Sequence, residues 1–272
     1  MLPEPHIDIT IQNYIRSKLS NIEQEYQVKI LLAVESGSRA WGFPSEDSDY
    51  DVRFIYARSV NDYLSVKDFR DVIETPSLQD TLLGVPLDLN GWDVHKALGL
   101  ALKSNPVLVE WLVSPIRYYE SGAVTKELFA FIQETANLQA FAYHYDRLAR
   151  NAWEQIQQSS NEVKLKLYCY ALRPSLALQW ILQFNKLPPM DMPSLFRGLI
   201  KDEKLQNEIS ALFKLKASAK ELDLMPRNKI LDPYIESCLR YKAEPPSVLL
   251  KDEHQSIEKA DVLFQKIIKY PL

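Results

Sequence analysis

Residues 35–56 read ESGSRAWGFPSEDSDYDVRFIY, and the order of parts in this stretch decides the fold. It is entered through Val28–Val34 (VKILLAV), an apolar run rich in branched residues that predicts a strand. Glu35-Ser36-Gly37-Ser38 ends that strand, because small and polar residues support neither sheet nor helix well. Arg39–Ser48, with Gly42 and Pro44, reads as a loop. Asp49–Tyr56 then alternates, with Asp49, Asp51 and Arg53 on one face and Tyr50, Val52, Phe54 and Tyr56 on the other, so it predicts a second strand with one apolar side.

Side chains repeat every two residues along a strand, so Asp49 and Asp51 project together. Two neighbouring carboxylates repel unless a cation lies between them, and Mg²⁺ is the usual cation where phosphate is handled, since it combines one or two carboxylates with phosphate oxygens and water. Gly37 has no side chain to obstruct a phosphate, Ser38 offers a hydroxyl and a backbone N–H, and Arg39 adds charge. Glu35, beside the turn, is placed to pair with Arg39 or Arg53. Trp41 suits a buried loop anchor better than a surface that stacks on a base.

Around this centre the pattern is mixed and then helical. Ile7, Ile11, Ile15, Leu19, Ile22 and Tyr26 recur at helical spacing. Phe69–Glu74 and Val85–Asn90 predict short strands, and Trp92–Lys103 a helix. In Val85–Asn90, Val85, Leu87 and Leu89 share one face and leave Asp88 and Asn90 on the other. Asn105-Pro106 breaks the chain before a helical segment at Val107–Val113. From about residue 123 helices are predicted over 124–135, 138–158, 163–184, 203–216 and 255–269, with Pro188-Pro189 among the breakers. Strands followed by a block of helices give an α+β class: a small mixed sheet with flanking helices over residues 1–120, then a helical domain over 121–272.

Composition bounds the function. The chain of 272 residues is 46% hydrophobic and 25% charged, with 7 glycines, which excludes a disordered or low-complexity protein. Neither a secretory leader nor an apolar run near the ~20 residues of a membrane span is visible, so a cytoplasmic protein with no membrane partner is expected. Cys169 and Cys238 lie far apart, and the four histidines show no ligand spacing, so structural zinc is not expected. Residues 1–136 carry 12 Lys and Arg against 20 Asp and Glu, whereas residues 137–272 carry 20 against 16. A carboxylate-rich half joined to a mildly basic half suits metal ions and phosphates. A pI near 5.7 argues against broad nonspecific nucleic-acid binding.

Gly37-Ser38 followed by Ser48-Asp49-Tyr50-Asp51 resembles the DNA polymerase beta-like nucleotidyltransferase superfamily. With Asp88–Trp92 (DLNGW), Ser104–Leu112 (SNPVLVEWL) and Tyr170–Pro174 (YALRP), the string is similar to its branch of RNA-repair-pathway polymerase-beta proteins. The resemblance implies transfer of a nucleoside monophosphate from a nucleoside triphosphate to an acceptor hydroxyl, with release of pyrophosphate. It implies Mg²⁺ or Mn²⁺ on three carboxylates: Asp49, Asp51 and, on a neighbouring strand, Asp88. Asp93 is the rival third carboxylate, although a first-turn position explains it by capping alone. Gly37, Ser38, Arg39, Ser48, Arg53 and Arg173 are the expected nucleotide-binding residues. Arg173 stands in an apolar helical stretch and needs an anionic partner, either a phosphate or an internal carboxylate such as Glu110 or Asp146. An RNA end is the first acceptor implied. A partner protein's hydroxyl, as in AMPylating or antitoxin-type members, and a small molecule are the alternatives. A non-catalytic nucleotide-binding protein is the reading against which the intact Asp49 and Asp51 count.

Overall fold

The computed structural model describes residues 2–75, 78–220, 223–245 and 253–269. Helix α1 (Ile9–Tyr26) starts where Asp8 accepts the Thr10 N–H and stops at Gln27, which adopts the left-handed conformation. There follow β1 (Lys29–Glu35), α2 (Gly37–Trp41), β2 (Tyr50–Ala57), α3 (Val60–Tyr63), β3 (Val72–Glu74), β4 (Leu78–Gln79) and β5 (Pro86–Asp93). Next come α4 (Val94–Leu102), α5 (Pro106–Leu112), β6 (Arg117–Glu120), α6 (Gly122–Thr135), α7 (Leu138–Gln158), β7 (Glu162–Lys164) and α8 (Leu165–Phe184). The last are α9 (Met192–Leu199), α10 (Glu203–Ser218), β8 (Leu224–Pro226), α11 (Leu231–Cys238) and α12 (Glu253–Ile268).

Two compact units result, and neither is one continuous piece. Among the described residues, 6–37, 49–136 and 253–269 form a sheet unit, while 2–5, 38–48, 137–220 and 223–245 form a helical unit. Residues 38–48 fold with the helices, and residues 253–269 with the sheet.

The sheet runs β3-β5-β2-β1-β6, with β4 also on β5. Strands β2 and β5 are parallel and the other pairs antiparallel, so the sheet is mixed. The parallel register sets Asp51 opposite Asp88. Ile30, Ala33, Val52, Phe54, Tyr56, Leu87 and Leu89 make one core with Ile15, Leu19 and Ile22 of α1. Burying that face is what fixes the register, since a slip of one residue would turn Asp51 and Arg53 into the core.

In the helical unit Trp153, Ile156, Tyr168, Leu172, Leu176, Met192, Leu195, Ile209 and Phe213 form a core that also takes in Leu2 and Phe43. Helix α8 is buried on most sides, which explains its near-continuous apolar sequence. Several local expectations are revised. The segment after Gly37 begins as the short helix α2 rather than as open loop. Strand β5 continues through Gly91 and Trp92 because both still pair with β3, so α4 starts later than its pattern indicates. Residues 162–164 are strand, not the start of a helix. Among the described residues, no helix is long and apolar enough to cross a membrane.

Candidate active site

The site begins where β1 stops. The Ser36 N–H donates to the Asp51 carbonyl at 2.8 Å, which ties the turn to β2. Gly37 has φ +59°, and a Cβ built there would lie 2.1 Å from Asp51 Oδ2. Glycine is therefore required twice over, by the left-handed backbone and by the carboxylate that fills the side-chain position. The result is an acidic oxygen set directly against an unshielded turn of backbone.

Asp51 and Asp88 face each other across β2 and β5, and Arg53 bridges them. Its Nη2 donates to Asp51 Oδ1 at 3.1 Å and to Asp88 Oδ2 at 2.7 Å, while Nη1 donates to the carbonyls of Val52 at 3.1 Å and Asp88 at 3.2 Å. The two acidic side chains are 29% and 30% exposed, so solvent and solutes reach them. Asp49 precedes β2 and is exposed. Among the described residues, no three His, Cys, Asp or Glu side chains converge closely enough to hold an ion. The structure thus pairs Asp51 with Asp88 and does not bring Asp49 into a ready three-carboxylate set. The donor chemistry nonetheless fits a hard divalent cation: two reachable carboxylates at one register, already drawing a positive group between them.

Glu35 holds this geometry from behind. It is 0% exposed; its Oε1 accepts the Asp51 N–H at 2.8 Å and its Oε2 accepts the Tyr118 hydroxyl. Its own carbonyl accepts the Ser114 hydroxyl at 2.7 Å, and its N–H donates to the Ile116 carbonyl at 3.0 Å. Sequence spacing sets Glu35 beside Arg39 or Arg53. In the structure it clamps β2 to β6, while Arg53 takes the carboxylates and Arg39 Nη2 donates to the Ser48 carbonyl at 2.6 Å. The one local signal for this clamp is an acidic residue closing an otherwise apolar strand.

Residues 38–48 are organised within the helical unit. Ser48 Oγ accepts the Ser45 N–H at 2.9 Å and lies 3.0 Å from Ser45 Oγ, which in turn accepts from the buried Lys216 at 2.9 Å. Ser48 thus closes the loop just before Asp49, and Lys216, which no motif marks, anchors it. Arg173 is 4% exposed: Nε donates to the Met190 carbonyl at 2.9 Å, and the guanidinium lies 4.5 Å from the centre of the Trp41 ring. Trp41 also packs on Phe43 and edge-on against Tyr170, in keeping with an anchor. Asp146 pairs with Arg150 at 2.9 Å.

Asp93 is employed elsewhere. It caps α4 by accepting the His95 N–H at 2.8 Å and takes the Tyr63 hydroxyl at 3.0 Å. Five residues beyond Asp88, it faces the opposite side of β5, opposite Tyr56 of β2. Burial pushes its carboxyl above the usual range, against the pull of the His95 and Tyr63 hydrogen bonds and the Arg58 charge.

Comparison with known proteins adds three findings. The model of the RNA repair pathway DNA polymerase beta family matches residues 11–266. The uncharacterized protein YcgL of Bacillus subtilis (strain 168) is 45% identical over 223 residues, covering 82% of this chain and 83% of that protein. A crystal structure of a nucleotidyltransferase-like protein from Exiguobacterium sibiricum 255-15 aligns over 93% of this chain and 75% of its own at 12% identity, with a TM-score of 0.28, too slight a likeness to argue from.

Proposed function

Because this chain belongs to the RNA repair pathway DNA polymerase beta family and is by that membership a nucleotidyltransferase, we propose that it moves a nucleoside monophosphate from a nucleoside triphosphate to an acceptor hydroxyl and releases pyrophosphate. The observation that carries the proposal is the junction of turn and carboxylates: Asp51 Oδ2 against Gly37, and Asp51 opposite Asp88. In this reading Asp49, Asp51 and Asp88 would hold Mg²⁺ or Mn²⁺. Bound there, the cation would lower the pKa of the attacking hydroxyl and stabilise charge on the departing pyrophosphate.

The chain's own residues do the rest. Gly37 leaves the backbone open to a phosphate, Ser38 offers its hydroxyl and N–H, and Arg39 and Arg53 supply charge. Ser48 holds the loop that delivers Asp49, and Glu35 orients Asp51 through its peptide N–H. Arg173, 4.5 Å from the centre of the Trp41 ring, holds a permanent positive charge against α2. Arg173→Lys keeps the charge and loses the fork, and should weaken nucleoside triphosphate binding about tenfold, the scale of one charged hydrogen bond. Titration and melting of the same variant decide this: a lowered melting temperature with unchanged affinity would reduce Arg173 to a support for Trp41.

The favoured acceptor is an RNA end, on the family's description and the basic balance of residues 137–272. The test is incubation of the purified protein with each α-labelled nucleoside triphosphate, Mg²⁺ or Mn²⁺, and either RNA or cell extract. Metal-dependent label in RNA is the expected result. Label in protein or in a small product would replace that acceptor, and binding without any transfer would overturn the enzymatic reading.

A further inference from the structure

We infer that Arg53 is the resident counter-ion of the carboxylate pair, and that a divalent cation must displace it, so Arg53 sets the metal concentration at which the site fills. This rests on the proposed role of Asp51 and Asp88 as metal ligands. The geometry is specific. Arg53 Nη2 lies between Asp51 Oδ1 and Asp88 Oδ2, and both oxygens belong to residues at one register of adjacent parallel strands. The other Asp51 oxygen is turned to Gly37. An ion held by both carboxylates would compete with the guanidinium for the same gap.

Chemistry leaves Arg53 one way out. A lysine or histidine in this position could yield its proton as the ion arrives, but a guanidinium stays protonated at any physiological pH. Two cations in one gap repel, so Arg53 must swing away. Its Nη1 bonds to the Val52 and Asp88 carbonyls keep it near the site as it does so. The freed Nη2 can then donate to a phosphate oxygen, which is what a nucleotide brings to the same place. Without metal, the same arginine cancels the repulsion between the two carboxylates and lets β2 and β5 pair at this register. An enzyme built this way needs no bound ion to fold, and it binds metal weakly until nucleotide supplies a second reason for Arg53 to move.

The test uses Mn²⁺ alone, with binding read from the paramagnetic resonance signal of the free ion, on the wild type, Arg53→Gln, Arg53→Lys and Asp51→Asn. Arg53→Gln should bind Mn²⁺ about tenfold tighter than wild type or better, since a unit charge at contact distance has been removed. Arg53→Lys, a point charge unable to bridge both carboxylates and both carbonyls, should fall between the two, and Asp51→Asn should lose the ion. Melting adds a second readout: without metal Arg53→Gln should unfold at lower temperature than wild type, and Mn²⁺ should narrow the gap. Equal or weaker binding by Arg53→Gln, with the ion still lost in Asp51→Asn, overturns the inference and spares the metal reading. Should Arg53→Gln not fold, Arg53→Lys decides, and affinity equal to wild type overturns it. Ion binding that Asp51→Asn does not change, or binding by no variant, sinks the metal reading and this inference with it.

Discussion

Asp51→Asn should lose nucleotidyl transfer by about a thousandfold or more, the scale on which removing one electrostatic anchor of a polar transition state acts. Asp49→Asn and Asp88→Asn should be comparably damaging. Stability should change little, within about 1 kcal/mol, because the Arg53 pairs are part-exposed and Arg53 keeps one carboxylate partner in each single variant. Asp93→Asn is the contrast. It keeps an oxygen that can accept the His95 N–H but removes the negative charge at the start of α4 and opposite Arg58, so it should cost about 1 kcal/mol of stability or less and leave turnover per folded molecule near normal. Steady-state rates and melting curves on the four proteins settle the assignment. Near-normal turnover in Asp51→Asn with Mg²⁺ would remove it from the chemistry, and a larger rate loss in Asp93→Asn than in Asp88→Asn would move the site to the other end of β5.

Gly37→Ala should be nearly as severe for a different reason. The added methyl carbon would sit 2.1 Å from Asp51 Oδ2 at φ +59°, so either the turn or the carboxylate must move. A left-handed alanine costs about 1–2 kcal/mol. Displacement of a reacting group by an ångström can cost about a hundredfold in rate. Both losses are expected together. Gly99→Ala is the matched control: no heavy atom lies within 4 Å of a Cβ there, and alanine favours the interior of α4. Full turnover in Gly37→Ala at an unchanged melting temperature would mean that the tight approach of Asp51 to the turn has no part in function.

Much of this centre is legible in residue order. The alternation in β2 reports which face is buried, and the pattern of Val85–Asn90 puts Asp88 on the half-exposed face of β5. Helix α7 matches its predicted span because a full 21 residues of periodic pattern define it. What escapes is either too short or too distant. Strands β6, β7 and β8 have three or four residues, less than one reliable alternation. The Arg53–Asp88 bridge spans 35 positions, the Tyr118–Glu35 bond 83 and the Lys216–Ser45 bond 171. Such partners depend on strand register and helix packing, which local spacing does not carry. Trp41 could be expected to anchor its loop, but nothing in YALRP reveals that Arg173 stacks on it.

The interleaving of the two units has a consequence for how such a protein can change over generations. Phe43 packs against Phe213 with ring centres 5.3 Å apart, and Leu2 lies in the same core. A gene segment coding only for the later helices would therefore lack part of its own interior. One recombination event can neither lend this helical unit to another catalytic sheet nor exchange it for a new one. The two units are therefore inherited together, and change within either comes by substitution in place.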